Sequence, residues 1–411
     1  MWLYGALSEL VFSGCARLID RKYTEGLDER HGRYSSRVPR GAVWVHAVSV
    51  GEVQSALPLV TCITEEAPEL PVLVTTVTQT GAAMVRQLMP NVVHAYYPWD
   101  APSIVSRALG ELRPRCYVTM ETELWPVMTD RLYRAGIPAF LVNGRISDRS
   151  FHSYRRLKFF WGSVLDRYRV IMARDSEDAE RFKAICSHPE RVIVTGENKT
   201  DALLIRRQQE KLPVFDEPDR PIILAGSTHP GEDEIIHEAW LEVKKRCPGA
   251  RLIIAPRHPE RAESVAELFS GCGAVCRFSA PTLGWDVMIV DRIGKLFCLY
   301  GTAQAAFVGG TLVPRGGQNV YEPAVWGCPF CLGPSYSDFR EPTEELLRLG
   351  VCRLVSDASS IAEFFIGALN ENLRDKIAES ARVFFDGKLG SARRSWQEID
   401  RQMTELKGQW R

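Results

Sequence analysis

The sequence predicts an α/β protein made of two doubly wound parallel-sheet domains. Three observations carry this. Short apolar runs alternate with amphipathic helical patterns along most of the chain, as in a sheet built from strand–helix–strand units. The alternation breaks once, in the proline- and charge-rich "RRQQEKLPVFDEPDRP", and then restarts. The length of 411 residues suits two domains of ordinary size, and 45% hydrophobic residues suffice for two cores.

Taken in order, residues 1–22 read as an amphipathic helix. Trp2, Leu3, Leu7, Leu10, Val11 and Leu18 share much of one face, and Arg17, Arg21 and Lys22 follow. Such a helix suits a membrane surface with anionic lipid, or equally the flank of its own domain. Glu9 and Arg17 interrupt the apolar run, which is too short to span a bilayer and has no leader-peptide pattern. Residues 23–205 form the first domain, with strands expected at "AVWVHAV", "PVLVTTV", "VVHAYYP", "CYVTME", "AFLVNGR", "RVIMAR" and "RVIVTG". Residues 206–221 are the linker. Residues 222–411 form the second domain, with strands at "IILAGS", "RLIIAPR", "AVCRFS", "DVMIVD", "AAFVGG" and "PFCLGP" and helices from about 357 onward.

The totals exclude several classes. With 51 basic and 51 acidic residues the formal net charge is zero, so bulk attraction to nucleic acid is not expected. Eleven scattered cysteines suit a reducing compartment better than a disulfide scaffold. Cys328-Pro-Phe-Cys331 has no second pair for zinc and lies in an apolar run, so it reads as buried strand.

In open α/β sheets, ligands bind beyond the carboxyl ends of the strands. Ser49-Val-Gly-Glu52 follows the first strand; it fits a capping box, and it also places a carboxylate at a ligand-facing position. Glu121 and Glu123 repeat the arrangement after "CYVTM". In the second domain, Gly226-Ser227-Thr228-His229 opens a helix whose small residues would let backbone N–H groups approach an anion. Arg257 and His258 end the next strand, and arginine offers a forked donor for phosphate. "FVGGTLVPRGGQNVYEPAVWGCP" combines two glycine pairs with Asn319 and with Glu322, a carboxylate able to accept ribose hydroxyls. No D-x-D, H-E-x-x-H, phosphate-loop or G-x-S-x-G motif occurs, so no metal site is expected.

These motifs together resemble the 3-deoxy-D-manno-octulosonic acid (Kdo) transferases of lipopolysaccharide synthesis, glycosyltransferase family 30. The matching stretches run from "GLDERHGRY" through "HAVSVGE", "TMETELWP", "LVNGRISDRSF", "ARDSEDAERF", "VTGENKTD", "AGSTHPGEDE", "APRHPER" and "GGQNVYEPA" to "GPSYSDF". The resemblance implies two Rossmann-like domains of the GT-B type, the first binding acceptor and the second CMP-sugar. It implies inverting, metal-independent transfer of Kdo from CMP-Kdo to a lipid A precursor (lipid IVA) on the cytoplasmic side of the inner membrane, without a cofactor. By carry-over, Glu52 is the general base, and Glu121 and Lys199 stabilise the transition state. Ser227, Pro256, Arg257, Gly294, Lys295, Leu296, Asn319, Val320, Tyr321 and Glu322 fall at the CMP site. The chain departs from the family pattern at Gln318, Tyr321, Lys295, Gln304 and Glu197, changes expected to cluster around the nucleotide. Two other readings stay open on the residues: a GT-B enzyme using a different donor such as a UDP-sugar, and a two-lobed binding protein without catalysis.

Overall fold

The computed structural model describes residues 2–371 and 373–409. The chain divides into two compact units, Met1–Ala202 with Lys388–Arg411, and Leu203–Gly387.

The first unit holds strands β1 (Val43–His46), β2 (Val72–Thr76), β3 (Val93–Tyr96), β4 (Cys116–Met120), β5 (Ala139–Gly144), β6 (Val170–Ala173) and β7 (Val192–Val194). They form one parallel sheet in the order β3-β2-β1-β4-β5-β6-β7. The strands β1, β2, β4, β5 and β6 are buried along their whole length, which is why they read as continuous apolar runs. Trp44, Tyr97 and Tyr117 fill the centre, where the Tyr97 and Tyr117 hydroxyls hydrogen-bond at 2.9 Å.

The second unit holds β8 (Ile222–Thr228), β9 (Arg251–Pro256), β10 (Val275–Arg277), β11 (Val287–Ile289), β12 (Ala305–Val308), β13 (Phe330–Leu332) and β14 (Cys352–Leu354). Their order is β10-β11-β9-β8-β12-β13-β14, again all parallel. Cys328 and Cys331 are fully buried around β13, as expected of a structural pair. In each sheet the direction of winding reverses once, between β1 and β4 and between β8 and β12. Those reversals are where an open α/β sheet offers a crevice.

The structure corrects the domain boundaries. The last helix, Ser391–Gln409, belongs to the first unit and packs on the helix Val50–Glu66. Asp201 holds its start, accepting the N–H groups of Gly390 at 2.8 Å and Ala392 at 2.9 Å. The unit boundary falls within the helix Asn198–Gln209, so residues 206–209 are helical rather than linker. The short edge strand β14 was not expected from the sequence; two of its three residues are exposed and one is arginine, so no apolar run marks it.

The N-terminal helix Trp2–Lys22 rests on the first unit through Glu9, which accepts the Ser103 N–H at 2.9 Å and hydroxyl at 2.5 Å. Leu7, Leu10, Val11 and Leu18 are exposed, and the side chains of Trp2, Leu3 and Arg17 lie outside the described residues. Among the described residues no helix is long and apolar enough to cross a membrane.

One buried carboxylate holds the second unit's central loop. Glu232 accepts the N–H groups of His229 at 2.9 Å, Gly310 at 2.7 Å, Thr311 at 2.9 Å and Leu312 at 2.9 Å. Glu232→Gln keeps the size but turns an amide NH2 toward these donors. It is expected to destabilise the second unit by about 2–4 kcal/mol, from unsatisfied buried donors. Urea unfolding followed by tryptophan fluorescence measures this; an unchanged midpoint would show that the loop holds its shape without the carboxylate.

Candidate active site

In the first unit, the chain leaves β1 at Ala47 and starts a helix at Val50. Ser49 is the N-cap in extended conformation, but its side chain makes no cap bond to the helix. Instead, Glu52 reaches back. Its carboxylate accepts the Val48 N–H at 2.8 Å and the Ser49 hydroxyl at 3.2 Å. The capping box is thus not formed: Glu52 takes the N–H of the residue before the cap, and the serine hydroxyl serves the glutamate. Glu52 is only 8% exposed. Burial raises its pKa from the usual 4.5 to about 7; the Val48 N–H opposes the rise, and the like charges of Glu123 and Glu121 add to it.

Glu121 follows β4 with a left-handed backbone, φ 54°. This places its side chain at the strand end, among cations. Arg145 Nε lies 2.9 Å from one carboxylate oxygen, and Lys199 Nζ lies 3.5 Å from the other. Ser55, one turn beyond Glu52, points its hydroxyl at the same oxygen at 3.5 Å. Asn143, near the end of β5, is also left-handed at φ 56°, and its side-chain oxygen accepts the Asn198 N–H at 3.1 Å. That bond fixes the start of the helix that carries Lys199. Two non-glycine residues in a costly conformation at neighbouring strand ends are a common mark of a functional site. Glu123 is partly buried, and burial followed by the charge of Glu121 raises its pKa. The structure therefore brings Glu52, Glu121 and Lys199 together at the reversal point of the first sheet. It adds Asn143 and Arg145, from the stretch "LVNGRISDRSF", and Ser55, inside the helix Val50–Glu66, which the sequence did not single out.

In the second unit, Ser227 sits at φ 55° near the end of β8. Gly309 is obligatory beside it, because a Cβ there would lie 2.4 Å from the Ser227 carbonyl oxygen. Of the N–H groups at this helix start, that of His229 goes to the chain's own Glu232 at 2.9 Å and that of Gly231 to Glu234 at 3.1 Å. Pro256 is buried at the end of β9, and Arg257 is exposed beside it, with its N–H on the Thr228 carbonyl at 3.0 Å. Gly294 is left-handed at φ 83°, Lys295 is exposed, and Leu296 opens the helix Leu296–Thr302. Asn319 accepts the Tyr321 N–H at 3.1 Å at the start of the helix Tyr321–Val325. Val320 is buried, so only its backbone could meet a ligand. Glu322 is raised by burial, with Arg206 and Asn319 opposing; Arg206 Nη1 stands 3.8 Å from its carboxylate.

Not all the departures from the family pattern lie at the nucleotide positions. Gln304 accepts the Ile222 N–H at 2.6 Å, at the beginning of β8 and so at the opposite end of the sheet from Glu322. Glu197 belongs to the first unit. Among the described residues no group of three or more His, Cys, Asp or Glu side chains could hold a metal ion.

A carboxyl with a raised pKa disfavours the fold as pH rises from its unfolded value to its folded one. Wild-type protein is therefore expected to lose up to about 3 kcal/mol between pH 4.5 and 7 through Glu52. Glu52→Gln should remove that loss, so the variant gains relative stability at pH 8 over pH 4. Urea midpoints at the two pH values check this. An equal effect at both would make Glu52 an ordinary cap.

Comparison with known proteins identifies the family. The family described as 3-deoxy-D-manno-octulosonic-acid transferase (kdotransferase) matches residues 25–202. The 3-deoxy-D-manno-octulosonic acid transferase of Haemophilus influenzae is 34% identical over 374 residues, covering 88% of this chain and 87% of the relative. That of Bordetella pertussis is 31% identical over 390 residues, 90% of each chain. Among solved structures, a putative UDP-N-acetylglucosamine 2-epimerase from Listeria monocytogenes shares the fold at 15% identity, with TM-score 0.59 over 89% of this chain and 97% of that one. The chain belongs to the 3-deoxy-D-manno-octulosonic acid transferase family and is a Kdo-transferring glycosyltransferase with the GT-B fold.

Proposed function

We propose that the protein transfers Kdo from CMP-Kdo to a hydroxyl of a lipid A precursor, with inversion and without a metal. The observation that carries this reading is Glu52, a carboxylate at the sheet reversal with a pKa of about 7. A sugar hydroxyl is a weak nucleophile until its proton leaves. Glu52 takes that proton as the acceptor oxygen attacks the anomeric carbon of Kdo. The bond from that carbon to the phosphate oxygen breaks, and CMP departs with the electron pair. Lys199 and Arg145 hold Glu121 between two cations, and together they provide fixed charges where the transition state is polar. In the second unit, Glu322 accepts the ribose hydroxyls, and Arg257 takes the phosphate. Ser227, Pro256, Gly294, Lys295, Leu296, Asn319, Val320 and Tyr321 complete the nucleotide site. A purely binding protein would have no use for a buried carboxylate tuned to titrate near neutrality.

The acceptor is a lipid, and the first unit carries a surface suited to one. Phe159 is 82% exposed, and Leu157 is exposed next to Arg155, Arg156 and Lys158. The neighbouring Phe160 ring lies 5.5 Å from Tyr4 of the N-terminal helix, so this patch continues into exposed Leu7 and Leu10. Phe151, Tyr154 and Trp161 instead pack on the core. The apolar side chains would enter the interface of the cytoplasmic leaflet and the cations its anionic headgroups, at about 1 kcal/mol per cation.

Two experiments test the reading. Mass spectrometry of lipid IVA incubated with CMP-Kdo and protein should show added Kdo, unaffected by EDTA. The rate should rise with pH around 7, and Glu52→Gln should lower it about 100- to 10,000-fold. A Gln variant with normal turnover, or strict dependence on added magnesium, would sink the mechanism. For the membrane, deleting residues 1–19 together with Phe159→Ser should reduce sedimentation with anionic liposomes and slow transfer to liposome-embedded acceptor. It should spare acceptor in detergent. Unchanged liposome binding would overturn the docking surface.

A further inference from the structure

Kdo is a 2-ulosonic acid, so its anomeric carbon bears a carboxylate as well as the bond to phosphate. CMP-Kdo therefore brings two adjacent anions into the second unit, whereas a UDP-hexose brings no carboxylate on its sugar. The donors of this unit can be sorted by what they already hold. The N–H groups of His229, Gly310, Thr311 and Leu312 are occupied by Glu232. Arg261 is engaged by Asp233 and by the Thr228 carbonyl. Arg206 faces Glu322 and Glu210.

Three donors are left over at the ends of β8, β9 and β12. Arg257 and Arg315 are exposed, and neither side chain has a partner among the described residues. The third is unusual. His229 is only 8% exposed, and its Nε2 is buried without a hydrogen-bond partner. A buried polar atom left unpaired costs about 1–3 kcal/mol, so it needs a reason. The imidazole edge lies beside Gly310. A Cβ on that residue would come within 3.4 Å of His229 Cδ2 and 3.3 Å of the Gln318 side-chain nitrogen. Gly310 is left-handed at φ 68°, so any other residue there would be strained as well as intrusive. The His258 ring stands edge-on to His229 at 6.2 Å. Burial lowers the His229 pKa, Glu232 opposes this, and Arg315, His258 and Arg261 add to the lowering. The ring is a neutral donor at neutral pH, and the positive field around it comes from its neighbours.

We propose that His229, beside Gly310, and Arg315, in the loop that follows β12, form the subsite for the carboxylate of the donor sugar. This rests on the CMP-Kdo reading, in which Arg257 takes the phosphate and Glu322 the ribose. The imidazole Nε2 donates one hydrogen bond and the guanidinium of Arg315 supplies the charge. The subsite thereby selects an ulosonic acid over a neutral sugar, which a phosphate contact alone cannot do.

The test separates sugar from nucleotide. The KM for CMP-Kdo and the inhibition constant of CMP, which has no sugar carboxylate, are measured for Arg315→Ala, Arg315→Lys, His229→Ala and Glu322→Ala. Arg315→Ala and His229→Ala should each raise the KM at least tenfold while leaving CMP inhibition within twofold. Arg315→Lys should recover part of the loss. Arg315 is exposed, so its variants keep the fold even if His229→Ala does not. An unchanged KM in Arg315→Ala overturns the subsite, as does an equal loss for CMP and CMP-Kdo, which would make these residues phosphate ligands. If instead Glu322→Ala leaves CMP inhibition unchanged, the nucleotide site itself is misplaced, and the subsite falls with it.

Discussion

A carboxylate taken out of water must be answered by N–H groups or cations, or it gives up its charge. This constraint sorts the strand-end glutamates of the chain into different tasks. Glu232 is fully buried and meets four backbone N–H groups, so its bonding capacity is spent on the shape of the 309–312 loop. Glu121 is answered by Arg145 and Lys199 and serves as a fixed charge. Glu52 is answered by one N–H and one hydroxyl, with two like charges near it. Its carboxyl rises to about 7, so it can exchange a proton near neutral pH, beside Glu123, which is raised by burial and by the charge of Glu121. Glu322 has one cation at 3.8 Å and the Asn319 amide, which leaves lone pairs for a hydroxyl. The same residue type at equivalent places thus becomes scaffold, fixed charge, or the base and ribose ligand proposed above, according to its partners.

The parallel topology is what brings these groups to one edge. Each crossover returns the chain to the same end of the sheet, so all carboxyl ends point the same way. The reversal between β1 and β4 separates the loops that follow those two strands, and Glu52 and Glu121 fall there. The reversal between β8 and β12 does the same for Ser227 and Gly309–Gly310. Close packing at these ends leaves little tolerance: the Gly309 position admits no side chain against the Ser227 carbonyl.

Much of this could be read in the sequence, for a physical reason. Central strands of a parallel sheet are buried on both faces, so "CYVTM" and "AFLVNG" announce themselves as apolar runs. The edge strand β14 did not, because two of its three side chains face solvent. Glu52 and Glu121 were legible because a carboxylate after a strand is conspicuous. What escaped was the partner of each group. Glu232 sits in an acidic first helical turn and looks like a dipole-compensating residue. Its partners lie about 80 positions away, at Gly310–Leu312. The Ser391–Gln409 helix belongs to the first unit through Asp201, a contact across some 190 residues that no local pattern encodes.

The placement of the nearby cations bears on how the proposed base, Glu52, keeps its strength. Arg145 and Lys199 lie close to Glu121, not to Glu52, and a cation within about 4 Å of a carboxylate lowers its pKa by one unit or more. Had either cation paired with Glu52, its carboxyl would return toward 4.5 and become a poor match for removing a proton near pH 7. Glu121, left-handed at φ 54°, stands between the two cations and holds both. The Glu52 carboxyl is thereby left to burial and to the like charges of Glu123 and Glu121, which raise it.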